Sequence, residues 1–234
     1  MSCVFISENA NEICKTFLNK NYKVIEIKKT SHVYEAVSTH ADIYVCKVGN
    51  TAVIAPEQVE LIQHDLKHKR LQYIKGHSNI GFCYPENIKY NGVCIGPVFI
   101  HNAAYTDKMI KYQVENNHLK IIGVKQGYTK CNVVEVDSQS IITSDHGIAK
   151  SLKEKTKIDV LLIRQGHVVL EGMPYGFLGG ASGKVGNVIV FNGNLEQHPD
   201  FEIIRTFIKN RSIDITYFKE YPLKDIGSII EIPR

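Results

Sequence analysis

The stretch Asn132-Val133-Val134-Glu135-Val136-Asp137-Ser138-Gln139-Ser140-Ile141-Ile142-Thr143-Ser144-Asp145, closed by Asp159-Val160-Leu161-Leu162-Ile163-Arg164, decides the fold. Asn132 to Val136 is rich in β-formers, Asp137-Ser138-Gln139 supplies a turn, and Ser140 to Thr143 resumes the strand. Ser144 or Asp145 is placed to cap a helix running to about Lys155, with Ile148 and Leu152 spaced for one buried stripe. Asp159 to Arg164 is almost wholly apolar, the pattern of a strand covered on both faces. The order is strand, strand, helix, strand.

The same order recurs along the chain. A first unit runs Ile43 to Val48, Thr51 to Ala55, a helix near Glu57 to Lys67, and Leu71 to Ile74. A second uses Ile80 to Tyr84, Val93 to Ile100, a helix from Thr106 to about Asn117, and Leu119 to Val124. The unit quoted above is the third. In a fourth, Gly179 to Gly186 replaces a regular first strand, before Val188 to Phe191, a helix with Pro199 in its first turn, and Ile213 to Phe218. A fifth is split between the ends of the chain: Ser228 to Ile232, then Cys3 to Ser7, Asn11 to about Asn19, and Val24 to Ile27. Anchors near His40, His77, Tyr128, Gly179 and Asp225 lie about 37, 51, 51 and 46 residues apart. The spacing predicts an α/β ring of five ββαβ units in a single domain over residues 1–234, closed by both termini so that sheet edges are removed.

Composition fits a soluble globular chain: 44% hydrophobic and 22% charged residues, with a formal charge of +4 spread along its length. The densest basic cluster, Lys67 to Arg70, reads as the end of a helix, where cations suit the dipole, and not as a nucleic-acid face. The six cysteines show no CxxC pair and no zinc-type spacing. The N-terminus lacks a signal-peptide pattern, and no apolar run reaches membrane-span length. These features predict a cytoplasmic protein with reduced thiols and no nucleic-acid or membrane partner; the cysteine chemistry taken up below needs no metal or organic cofactor. They leave the oligomeric state open.

His40-Ala41-Asp42 precedes the apolar run Ile43 to Val48. Alternation along a strand would put the imidazole and the carboxylate on one face, an acid/base element in need of a nucleophile. Cys131 opens the unit two places on. A thiol with an ordinary pKa of about 8.5 needs activation, and a nearby imidazole supplies it.

Five ββαβ units around a pseudo-fivefold axis resemble the pentein fold of the guanidino-group-modifying enzymes. That group contains arginine deiminases, amidinotransferases, dimethylarginine hydrolases and agmatine deiminases, with a non-enzymatic branch that binds the ribosome. Gln126-Gly127-Tyr128-Thr129-Lys130-Cys131 and Tyr175-Gly176-Phe177-Leu178-Gly179-Gly180-Ala181-Ser182-Gly183 are similar to a bacterial, chiefly clostridial, family within it. The resemblance implies a circularly permuted chain in which Cys131 is the nucleophile and His40 the proton shuttle. Asp42 and Asp225 would hold the substrate. His77, Lys130, Gly180 and Ser182 are further candidates for the substrate site. The expected partner is a small molecule bearing a guanidine, amidine or related C–N bond. The family enzymes carry a Glu-Gly-Gly-Asp/Asn-like motif in the unit before the His-x-Asp. Here Lys224-Asp225-Ile226-Gly227 stands there, and no Arg-Asp pair marks unit four. Those departures keep a second expectation open, a catalytically silent module binding a protein, the ribosome or a small ligand. No protease signature surrounds Cys131.

Overall fold

The computed structural model describes residues 1–233. In chain order the fold begins with β1 (Cys3–Ser7), α1 (Glu12–Asn19) and β2 (Lys23–Ile27). Unit one follows: a single helical turn α2 (Ala41–Tyr44), β3 (Val45–Val48), β4 (Thr51–Ile54), α3 (Pro56–His68) and β5 (Tyr73–Lys75). Unit two contains β6 (Val93–Ile95), β7 (Val98–His101), α4 (Lys108–Asn116) and β8 (Lys120–Gly123). Unit three contains a second short turn α5 (Thr129–Asn132), β9 (Val133–Asp137), β10 (Ser140–Thr143), α6 (His146–Lys155) and β11 (Asp159–Leu162). Unit four has β12 (Ser182–Val185), β13 (Val188–Phe191), α7 (Phe201–Lys209) and β14 (Asp214–Thr216), and β15 (Ile230–Ile232) ends the chain.

These strands make five three-stranded sheets with one wiring. In each, the first two strands are antiparallel and the third returns parallel to the second across a helix. The fifth sheet joins the two ends of the chain, with Cys3 opposite Ile232 and Phe5 opposite Ile230. The helices pack by stripes four residues apart, such as Cys14/Leu18, Ile148/Leu152 and Ile204/Ile208, all fully buried. Each such Leu or Ile contributes about 1.5–3 kcal/mol by leaving water. Asp145 caps α6, accepting from the Ile148 N–H at 2.7 Å.

The first strands of neighbouring units touch in cyclic order, β3 to β6, β6 to β9, β9 to β12, β12 to β15 and β15 to β3. Residues of all five line an internal cavity of about 220 Å³. Lys47, Cys94, Glu135, Lys184 and Glu231, one from each first strand, face it.

Several expectations shift. Ala41 to Tyr44 is a helical turn and not the start of a strand, so His40 is its N-cap residue and Asp42 lies in its first turn. The run Val93 to Ile100 is not one strand but a hairpin, because Gly96 takes φ +51° and turns the chain before Pro97. Residues 80–84 are irregular, so the first strand of unit two is β6. Ser182 to Val185 is a regular first strand after all. Pro199 precedes the cap residue Asp200 of α7 and does not sit in its first turn. Strand β11 is the outer edge of its sheet and is half-exposed, not covered on both faces. The third strand of every sheet keeps such an outer edge.

Candidate functional site

The segments that open the five units converge, and each brings one residue to a shared centre. Cys131 sits on α5, which is held from both sides. The Thr129 hydroxyl donates to Gln126 O, and the Asn132 amide donates to Tyr128 O. From unit two, Asn91 receives the backbone N–H groups of Lys130 at 2.8 Å and Cys131 at 3.3 Å on Oδ1. Its Nδ2 donates to Asp42 O at 3.0 Å and to Cys131 Sγ at 3.2 Å. The Cys131 thiol in turn donates to Asp42 Oδ2 at 3.0 Å. Ser228, from unit five, donates to the same oxygen at 2.6 Å and accepts from Lys130 Nζ at 3.3 Å. The opening of unit four closes the group, because Gly180 N donates to Cys131 O at 2.8 Å. Asp42 Oδ1 has no hydrogen-bond partner among the described residues.

Beside this cluster His40 Nδ1 lies 3.8 Å from Asp225 Oδ1. Asp225 is fixed by two backbone donors, Gly227 N on Oδ1 and Phe177 N on Oδ2, both at 2.9 Å. Two glycines make room for the pair. A Cβ on Gly180 would stand 2.1 Å from Asp225 Oδ1. Gly227 takes φ +72°, and a Cβ there would stand 2.1 Å from His40 Cβ. Ser228 follows in the same left-handed region at φ +69°, which costs an L-residue about 1 kcal/mol and turns its hydroxyl onto Asp42.

Burial dominates the electrostatics. It lowers the His40 imidazole to about 4 and raises the Asp225 carboxyl to about 6. It also raises the Asp42 carboxyl. Burial first, then the nearby Asp42 and Asp225 charges, push the Cys131 thiol well above its ordinary value. At neutral pH the resting site therefore holds a neutral imidazole and a protonated thiol beside acidic groups.

Cys131, His40 and Asp225 line one cavity of about 230 Å³, roofed by the segment from Leu170 to Phe177. A second compartment of about 450 Å³, with mixed polar and apolar lining, adjoins it through shared Tyr34, His40, Leu170, Met173 and Asp225. Asp42, fully buried, and the other sequence candidates do not line the Cys131 cavity. His77 is exposed, and its backbone N–H donates to the Asp107 carboxylate. Lys130 and Ser182 face the internal cavity among the first strands, and Ser182 donates to Leu178 O. Successive residues on a helical turn point about 100° apart, so Lys130 and Cys131 open into different cavities. Gly180 supports Asp225 and Cys131 and does not line the Cys131 cavity. Sequence reasoning missed Asn91, Ser228 and the roof segment. Asn91 and Ser228 each lie two residues before a first strand, the same offset as Cys131 before β9, and that offset was the available signal.

Among the described residues no three His, Cys, Asp or Glu side chains are grouped to hold a metal ion, and no helix is long and apolar enough to cross a membrane. No curated protein matches the chain in sequence. Solved structures do match in shape. A dimethylarginine dimethylaminohydrolase variant, in an adduct with S-methyl-L-thiocitrulline, aligns at TM-score 0.56 with 8% identity, covering 96% of this chain and 92% of that one. A mutant DDAH from Pseudomonas aeruginosa complexed with citrulline aligns at 0.48 with 10% identity, over 81% of this chain and 69% of that one. The agmatine deiminase of C. jejuni aligns at 0.48 with 13% identity, over 71% and 61%. The first of these alignments shows that the chain has the pentein fold. A family model matches residues 5–230, nearly the full length, and the chain therefore belongs to the family of unknown function DUF6873.

Proposed function

We propose that this protein is a cysteine-dependent hydrolase acting on the C–N bond of a small amidine or guanidine. The observation that carries the reading is that Cys131, His40 and Asp225 open into one cavity. We read the five sheets as blades of a closed, pseudo-fivefold ring, with this cavity at one end of its axis. The neighbour of TM-score 0.56 holds an adduct with a thiocitrulline derivative, which agrees with nucleophilic chemistry at such a site.

The thiol is at rest until a cation arrives. An amidinium beside Asp225 and Asp42 offsets the negative charge that disfavours the thiolate. Sγ then attacks the central carbon, forming a C–S bond, and the thiol proton passes to His40. The ionised Asp225, 3.8 Å away, stabilises the imidazolium. His40 returns that proton to the departing nitrogen as the C–N bond breaks. Water adds to the thioimidate carbon, His40 takes its proton, and the C–S bond breaks to leave a carbonyl product and the free thiol. The overall balance is amidinium plus water giving amide or urea plus an ammonium.

The test is release of amine from a panel of amidines and guanidines by wild type and Cys131→Ser, with iodoacetamide labelling of Cys131 across pH in wild type and His40→Ala. Turnover lost in Cys131→Ser, with a labelling profile displaced by His40→Ala, supports the reading. A slow Cys131 with the same profile in both proteins, and no turnover, overturns it. That second result would favour a catalytically silent binding module, a reading supported by Lys224-Asp225-Ile226-Gly227 standing where the guanidino-group-modifying enzymes carry a Glu-Gly-Gly motif.

A further inference from the structure

We infer that the substrate carries an apolar N-substituent, alkyl or arylalkyl, in place of a charged amino-acid tail; this rests on the proposed amidine chemistry. The Cys131 cavity is walled by Val37, Ile43, Leu170, Met173, Pro174 and Phe177, with the rings of Tyr34, Tyr128 and Tyr175. The hydroxyls of Tyr34 and Tyr128 bond to each other at 3.1 Å, and Asn87 donates to Tyr128 at 2.9 Å. Those two tyrosines thus turn rings and not unmet polar atoms toward a ligand. Besides its tyrosines, the titratable groups of the cavity are all on the reacting side, at His40, Cys131 and Asp225, and no Lys or Arg among the described residues lines it.

The adjoining compartment does not supply the missing cation. Among the described residues its lining holds one lysine, Lys224, paired with Glu171 at 2.6 Å; of its other two acids, Glu35 is paired with Lys29 at 2.7 Å and Asp225 belongs to both cavities. A carboxylate tail would have to break the Lys224–Glu171 pair and enter beside Asp225. Ser7, Asn9 and Thr39, also in the compartment's lining, are uncharged and hydrogen-bond to one another, Ser7 Oγ with Thr39 Oγ1 at 2.7 Å and Asn9 Nδ2 to Thr39 Oγ1 at 3.4 Å. An apolar body in the first cavity, ending at most in a neutral polar group in the second, meets complementary surface throughout. Burying an unpaired charge there is penalised, whereas each methylene buried favours binding about fourfold.

The probes are 2-chloroacetamidines, which place a cationic amidine next to a leaving chloride. Sγ displaces chloride, forming a C–S bond, and the thiol proton goes to buffer. Four probes are compared on the full chain: unsubstituted, N-butyl, N-benzyl, and one whose tail of similar length ends in an α-amino acid. Peptide mapping follows the rate at Cys131, with exposed Cys83 as the internal reference. The expected order has N-butyl and N-benzyl at least about tenfold faster than the amino-acid probe at Cys131, and equal to it at Cys83. Met173→Arg, at a partly exposed position of the roof, should narrow or reverse that ratio. An amino-acid probe that labels Cys131 as fast as the apolar ones overturns this inference and leaves the amidine chemistry standing. Probes that all label Cys131 no faster than Cys83 overturn both.

Discussion

Replacing Asp225 with Asn should give this protein an acid sensitivity that the wild type lacks. Burial raises the Asp225 carboxyl from 3.8 to about 6 and lowers the His40 imidazole from 6.5 to about 4. The two act on stability with opposite signs. The carboxyl holds its proton more tightly folded than unfolded, so its contribution improves as pH falls from about 6 toward 4. The imidazole is protonated first in the unfolded chain, so its contribution is full above about 6.5 and is lost as pH falls toward 4. Each spans about 3 kcal/mol, and in the wild type they nearly cancel over that window. The Asp225→Asn substitution removes the carboxyl contribution and leaves that of the imidazole. The variant should therefore lose about 3 kcal/mol more than wild type between pH 6.5 and pH 4. The amide side chain also forfeits one of the two acceptors for Phe177 N and Gly227 N, an offset independent of pH, so the slopes are compared and not the absolute values. Urea midpoints at a series of pH values, with m held common, give the slopes directly. His40→Gln should bend the opposite way, becoming relatively more stable in acid. Parallel curves for Asp225→Asn and wild type would refute the reasoning.

Asn91→Ala strips the partners from Cys131 N, Asp42 O and the thiol in a fully buried position, and should cost about 2–4 kcal/mol in denaturant unfolding. The same variant should label more slowly at Cys131, because the Asn91 N–H group lowers the thiol pKa. Gly227→Ala should lower Tm by roughly 4–8 °C, from its left-handed φ and its clash with His40. Gly166→Ala, at φ +93° with nothing within 4 Å of the added methyl, should lose about half as much by the same thermal assay.

The third unit was legible because its local signals agree: a polar turn at Asp137 to Gln139, a cap at Asp145 and a stripe at Ile148 and Leu152. The second was not, because Val93 to Ile100 is continuously apolar apart from Gly96-Pro97, and an apolar run does not reveal a turn by its period. Ile43-Tyr44-Val45 reads as strand by propensity, yet packing against the neighbouring units bends Ala41 to Tyr44 into a turn. At the candidate site, His40, Asp42, Cys131 and Asp225 could be nominated from sequence because titratable residues in a motif carry chemistry that can be named, and the fold brings them together. Asn91 and Ser228 are ordinary turn residues beside glycines, and only the register of the five unit openings shows where they point. Lys130 and Ser182 line a different cavity from Cys131 because a helical turn and a strand start send neighbouring side chains in different directions.

The central claim is that Cys131 is a buried thiol brought into action by a cation. The most direct measurement is the rate ratio at Cys131 between cationic 2-chloroacetamidine and neutral 2-chloroacetamide at pH 7, divided by the same ratio for Cys83 or a free thiol. Asp42, 3.0 Å from the thiol, and Asp225, whose charge also raises the thiol pKa, predict a normalised ratio of about a hundred or more, falling toward one in Asp225→Asn combined with Asp42→Asn. A normalised ratio near one in the wild type would contradict the account.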